Sequence, residues 1–481
     1  MNSSQLERKL GLWASVSIVV GAVIGSSIFM KPATMAAQVG SPEILLLVWI
    51  VAGVVSLFGG MINAEIGTML PNTGGQFVYF QKMYGDFFAF LYGWSSFIVI
   101  NTAALAAIAF VFAQYSEIFI QLPRLSTEIE KSIHLAIPGI GKLYFFDNIG
   151  VKCLAILLVV FITAVNYYSL KIGGAFQVIT TILKVGVLLL LIGFIFSSGK
   201  GSVQNFFTDT TSNSISFWGT ITGFIAAISG ALAAYDGWNN LGFVAGEIKN
   251  PAKNIPRGLI IGISTCMAMY LLTNLAYLYM LPIDEMKNSS LVASDALTAV
   301  IGIAGGGLIA LMVMLSTLGA VNGNALPCAR VTFAMGEQNF LSAWVGKVHP
   351  KFKTPGNALW LQCIWSCLFI FSGSFDMLTD LFVFVTWIFY GFGAYGLFVL
   401  RKKMPDVNRT YKTWGYPIVP IIFIFFAAFY FVVTLYNDIS NYNSGKTEFI
   451  NSVYGLVLIS TGIPVYLYYK RKLEQKEIFK N

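Results

Sequence analysis

Apolar residues recur along the 481-residue chain in blocks of about 20, the length an α-helix needs to cross roughly 30 Å of hydrocarbon. The pattern predicts twelve spans, near 12–37, 43–70, 86–120, 149–168, 174–198, 217–247, 257–281, 299–326, 356–373, 378–400, 416–437 and 449–469. No soluble-sized block interrupts them, so the expected architecture is all-α, with one membrane domain filling residues 1–481. The first block opens with LWASVSIVVGAVIG and is followed by no small-residue cleavage site in a loop, so it reads as a retained helix and not as a signal peptide.

Two blocks depart from the pattern. The first, SVSIVVGAVIGSSIFMKPATMAAQ, carries two glycines and two serines between Gly21 and Ser27, followed by Pro32. The sixth contains ALAAYDGWNN (231–240), which puts Asp236, Gly237, Asn239 and Asn240 where a lipid-facing helix would carry leucine or isoleucine. Unpaired backbone groups in hydrocarbon cost several kcal/mol each, so an interruption at this depth belongs against protein or a water-filled cavity. Interruptions five spans apart are the sequence pointer to an inverted-repeat transporter. The competing reading is that small residues merely allow close helix packing.

A broken helix presents free N–H groups and partial positive charge at one end, free carbonyls and partial negative charge at the other. A zwitterion fits both. An amino acid would set its carboxylate on the amides of Gly25, Ser26 and Ser27, and its ammonium among the carbonyls of Val23, Ile24, Ala233 and Ala234.

Composition agrees with a membrane protein: 56% of residues are hydrophobic and 11% charged, against about a quarter charged in soluble domains. The net charge of +8 comes from basic residues flanking the spans. With the N-terminus inside, 21 of the 30 Lys and Arg fall in inner loops and 7 in outer ones, which predicts cytoplasmic termini. Because these residues are scattered among loops, a nucleic-acid partner is not expected. The five cysteines lie in or at the edges of spans, and Cys363 and Cys367 share a helix face without histidine or carboxylate neighbours. His134 and His349 fall in loops on opposite sides of the membrane. No triad, metal motif or phosphate loop can be assembled, so neither an enzyme nor a cofactor or metal site is expected.

The interrupted blocks carry a resemblance. GAVIGSSIF is similar to the G-T-I-I-G-S-G-I-F signature of the L-type amino-acid transporter family within the amino acid–polyamine–organocation superfamily. AEIGTMLPNTGGQFVYFQKMYG (64–85), TAVNYYSLK (163–171), AYDGWNN and GEIKNPAKNIPRGL (246–259) resemble that family's other blocks, in its order. The resemblance runs from about residue 8 to 440 and implies a five-plus-five inverted-repeat fold, with repeats near 12–198 and 217–400 and two extra helices near 416–469. It implies sodium-independent amino-acid transport by alternating access, usually exchange, with proton-coupled symport as the alternative. Carried over by position, Ser26 and Ser27 match the amides that hold the carboxylate, and Val23 and Ala233 match carbonyls that hold the amine. Asp236 and Asn239 match side-chain-facing positions, and Lys184 matches a fifth-span lysine that stands in for a sodium ion. The chain departs from the pattern at Ser27, where the signature has glycine, and at Ala233, where many relatives place an aromatic cap. The outer loop 121–148 lacks the cysteine that bonds a glycoprotein heavy chain in animal relatives. A carrier in the cytoplasmic membrane working without such a partner, as bacterial members do, is therefore expected.

Two ionisable residues lie deep in their spans, Lys184 and Asp236, and such residues are functional hypotheses by default. Lys184 is followed by an unbroken apolar run and needs an internal partner, for which the carbonyls at the first break are suited; a purely structural amine is the alternative. Asp236 either grips or selects substrate, carries a proton, or caps the second half of its span. Glu65 and Glu247, near inner span ends, read as salt-bridge partners or an inner gate. Asn322 and Asn324 read as interhelical hydrogen-bonding residues, and Trp238 as packing beside the break.

Overall fold

The computed structural model describes residues 8–478 apart from 9, 71–74, 169, 208–216 and 408. The blocks at 64–85 and 163–171 that carry the resemblance therefore fall partly outside the described residues, as do the chain ends of the predicted domain. The helices are α1 (Leu12–Val23), α2 (Ser27–Val39), α3 (Pro42–Met69), α4 (Gly75–Tyr84), α5 (Asp86–Ser95), α6 (Asn101–Ser116), α7 (Thr127–Ser132), α8 (Ile149–Tyr168), α9 (Leu170–Ser197) and α10 (Phe217–Tyr235). There follow α11 (Pro251–Met280), α12 (Ile283–Met286), α13 (Val292–Ile301), α14 (Ile303–Glu337), α15 (Gly356–Ser372), α16 (Phe375–Lys403), α17 (Ile418–Asn443), α18 (Asn451–Ser460) and α19 (Gly462–Ile478). A π turn, Ser96–Ile100, joins α5 to α6, and a 3₁₀ segment, Trp238–Glu247, follows α10. A hairpin of β1 (His134–Ile137) and β2 (Gly141–Tyr144) lies between α7 and α8.

Among the described residues, ten helices are long and apolar enough to cross a membrane, eleven if the bent pair α1 and α2 is one span. Twelve were expected. The difference is α15, whose 17 residues rise about 26 Å at 1.5 Å per residue. The eighth predicted block, 299–326, has the wrong limits: Gly302, at φ +75°, turns the chain between α13 and α14, and α14 runs on to Glu337.

The packing places the two interrupted segments together. α2 lies on α10, while α1 lies on α11 and on the 3₁₀ segment. α11 also packs along α3, and α14 packs against α6 and α9. Large apolar side chains such as Phe425, Val432 and Ile421 remain exposed on the outer surface, as a hydrocarbon-facing perimeter requires.

Candidate substrate site

The first interruption follows from its residues. α1 ends at Val23, Ile24 turns to ψ 93°, and α2 begins at Ser27 with its axis bent 46° from that of α1. A side chain built on Gly25 would meet nothing nearer than the Val23 carbonyl of its own turn, at 3.7 Å, so the space over this backbone is open. Ser26 and Ser27 are buried beside it at the N-terminus of α2, where amide groups and the helix dipole favour an anion.

The second interruption is sharper. α10 stops at Tyr235, and Gly237 takes φ +105°, a conformation glycine adopts without strain. A β-carbon on Gly237 would also sit 2.9 Å from the Ala22 carbonyl oxygen, so the two breaks touch here backbone to backbone. Beyond it the chain continues for ten residues in 3₁₀ turns, a form seldom sustained that often marks a hinge.

The carbonyls left at the helix ends are largely claimed. Ile24 N–H closes on Val20, and Lys184 Nζ donates to the Gly21 carbonyl at 3.2 Å. The Tyr270 hydroxyl of α11 lies within hydrogen-bond distance of the carbonyls of both Val23, at 2.8 Å, and Ala234, at 2.9 Å, and can donate its one proton to either. Lys184 is buried, and none of the ion pairs among the described residues involves it, so a backbone carbonyl is its partner. Asp236 accepts a hydrogen bond from the Tyr390 hydroxyl at 2.7 Å, and the Tyr390 ring lies 4.8 Å from Trp238. Asp236 is thereby tied to α16.

A cavity of about 550 Å³ approaches the first break from the side of the N-terminus. Its lining includes Leu10, Gly21, Ala22, Lys184, Asn324 and Arg330. It meets α1 one turn short of Ser26 and Ser27, and it is lined by Asn240, not Asn239. On the opposite side of the breaks, Lys31 of α2 is 2% exposed and bonds Asp376 at 2.6 Å and Asp380 at 3.4 Å, both from α16. Ser229 of α10 donates to Asp380 at 3.0 Å, so one ionic cluster joins both interrupted spans to α16.

The remaining sequence candidates fall into place nearby. Glu65 is fully buried and holds Arg401 through two bonds of 2.8 Å and the Thr413 amide at 2.7 Å, which is the salt-bridge reading. Asn322 accepts from Asn166 at 2.8 Å, linking α14 to α8. Glu247 contributes its carbonyl, which accepts from Leu10 N–H, while Lys249 N–H returns to the Leu10 carbonyl. Sequence reasoning missed Tyr270, Tyr390 and the Lys31 cluster. Asp376 and Asp380, four apart on one helix face, were the available signal for the last.

A profile of the amino acid permease family matches residues 10–459. The chain belongs to the amino acid permease family. The permease is 32% identical over 470 residues to the serine/threonine exchanger of Bacillus subtilis (strain 168), covering 97% of this chain and 98% of that one. It is 30% identical to the human b(0,+)-type amino acid transporter 1 (89% and 82% covered) and 29% identical to the human cystine/glutamate transporter (96% and 85% covered). The permease is a predominantly helical, multi-span membrane transporter of amino acids, and Lys184, Tyr270 and Asp236 just described bond at the breaks of its first and sixth predicted spans.

Proposed function

We propose that this permease is a sodium-independent amino-acid exchanger of the cytoplasmic membrane, with both termini cytoplasmic and the five-plus-five repeat described above. On this reading the chain crosses the membrane twelve times, α15 included. The supporting observation is the convergence of the C-terminal carbonyls of α1 and α10 on one point, opposite the N-terminus of α2 and beside the open backbone at Gly25. That arrangement offers acceptors suited to an ammonium and donors suited to a carboxylate.

The substrate residues are Val23, Ile24, Gly25, Ser26, Ser27, Ala233 and Ala234 through their backbone, with Asp236 and Asn239 bordering the side chain. Lys184 stands where a coupling cation would otherwise hold the α1 carbonyls. The 550 Å³ cavity is the cytoplasmic entry, and the Lys31 cluster closes the far side. Two relatives, an exchanger of serine and threonine and a transporter of cystine and glutamate, support amino-acid exchange. Serine and threonine are the first substrates to test.

Counterflow in proteoliposomes tests the reading. Labelled serine should enter vesicles loaded with amino acid, stay out of empty ones, and be indifferent to replacement of sodium by choline. Uptake into empty vesicles driven by an imposed pH gradient would replace exchange with proton symport.

A further inference from the structure

We propose that Tyr270 is a positioning residue that sets the amine end of the substrate site by holding the two helix breaks at a fixed separation. The inference rests on the zwitterion reading above and adds to it a residue from a helix outside both interruptions. Val23 and Ala234 belong to different spans whose breaks also touch at Ala22 and Gly237, and one phenol oxygen lies 2.8 and 2.9 Å from their carbonyls. The phenol that carries it is fully buried, and its ring is held edge-on by Trp49 at 5.5 Å and by Tyr235 at 5.0 Å. Its position is therefore fixed by packing, and the carbonyls are registered against it.

The bonding is incomplete in a way that points to a ligand. A phenol has one proton, whereas each carbonyl oxygen has two lone pairs, so Tyr270 cannot satisfy both acceptors. The pair retains unused acceptor capacity at the negative ends of two helix dipoles. An ammonium, with three donors and a positive charge, matches that deficit, whereas the single hydroxyl of an α-hydroxy acid does not. The amides of Ser26 and Ser27 lie at the start of α2, and the Tyr270 hydroxyl bonds neither of them; its amide neighbour is that of Gly25. Loss of the hydroxyl should thus relax recognition chiefly at the amine end of the substrate, with the carboxylate still held by Ser26 and Ser27.

The test uses full-length protein in proteoliposomes, with L-serine, glycerate (hydroxyl in place of the amine) and serinamide (carboxylate neutralised) competing against labelled serine. In the unaltered protein both analogues should compete poorly. In Tyr270→Phe the preference for serine over glycerate should shrink about tenfold, the scale of a hydrogen bond to a charged group, while the preference over serinamide holds. Tyr277→Phe, which removes a buried hydroxyl from the same helix that bonds neither carbonyl, should leave both preferences unchanged. If Tyr270→Phe does not accumulate, Tyr270→His, which keeps a ring donor, is read instead and should show an intermediate preference over glycerate. An unchanged preference over glycerate in the variant, or an equal fall in both preferences, overturns the assignment. If the unaltered protein prefers serine to neither analogue, the zwitterion reading itself falls.

Discussion

At the scale of single residues, the site depends on backbone groups made available by a few side chains. Lys184 supplies the donor for the Gly21 carbonyl; without it a buried acceptor is stranded, a loss of about 1–3 kcal/mol in that local arrangement. Lys184→Ala should cut exchange at least about tenfold while the purified protein remains monodisperse with a cooperative melt, and unchanged counterflow would remove Lys184 from the mechanism. Asp236 is engaged by the Tyr390 hydroxyl, which favours a tether between the second break and α16 over selection of a substrate side chain. Asp236→Asn should therefore preserve the ranking of neutral against cationic competitors, slow turnover, and be phenocopied by Tyr390→Phe. A reordered competition profile would return Asp236 to substrate selection. Gly237 combines φ +105° with a backbone neighbour 2.9 Å from any added β-carbon, so Gly237→Ala should destabilise the fold by about 1–3 kcal/mol, visible as a lower melting temperature before any transport is measured.

At the scale of elements, α16 is the common anchor. It binds α2 through Lys31, α10 through Ser229, the second break through Asp236, and α3 through Arg401 and Glu65. The Lys31 end differs from the Glu65 end in what it joins: it bridges the interrupted spans, so opening the far side requires it to part. Removing one member of a buried pair leaves the other charge uncompensated, at a cost of about 3–5 kcal/mol for well-buried pairs. The value here lies toward the low end, because the Asp376 side chain is 52% exposed. Neutralising Asp376 and Asp380 together with Lys31 avoids that stranded charge and should favour the far-side-open form. The expected signature is faster labelling, by a membrane-impermeant thiol reagent applied from outside, of a cysteine introduced at Ser229. Labelling equal to that of the unneutralised protein carrying the same cysteine would show that the cluster does not govern access.

At the scale of the whole molecule, the helical membrane class was legible because hydropathy follows a single period, and both interruptions were legible because glycine, serine and aspartate are out of place in hydrocarbon. Lys184 was legible for the same reason: a buried ammonium inside an apolar run needs acceptors, and the break offered them. Tyr270 was not, because a tyrosine among MAMYLLTNLAYLYM looks like any apolar lining and its partners are backbone atoms that no residue pattern displays. The Lys31 cluster required knowing that positions some 345 residues apart meet. The outer loop 121–148 shows the same limit, since its missing cysteine was readable but its fold was not. Part of it forms the β1–β2 hairpin, and that hairpin is bonded to the segment entering α18: Lys142 N–H to the Glu448 carbonyl at 3.0 Å, Ile450 N–H to the Ile140 carbonyl at 2.8 Å, and the Tyr144 hydroxyl to the Glu448 carboxylate. The outer loop is thus tied through β2 to this chain's own segment before α18, while β1 stays exposed. The purified chain, reconstituted without any other protein, should give full counterflow, with initial rates linear in the amount of protein added. Activity that appears only after a membrane glycoprotein is supplied would mean that the hairpin leaves a docking face open, and the single-chain reading would have to be abandoned.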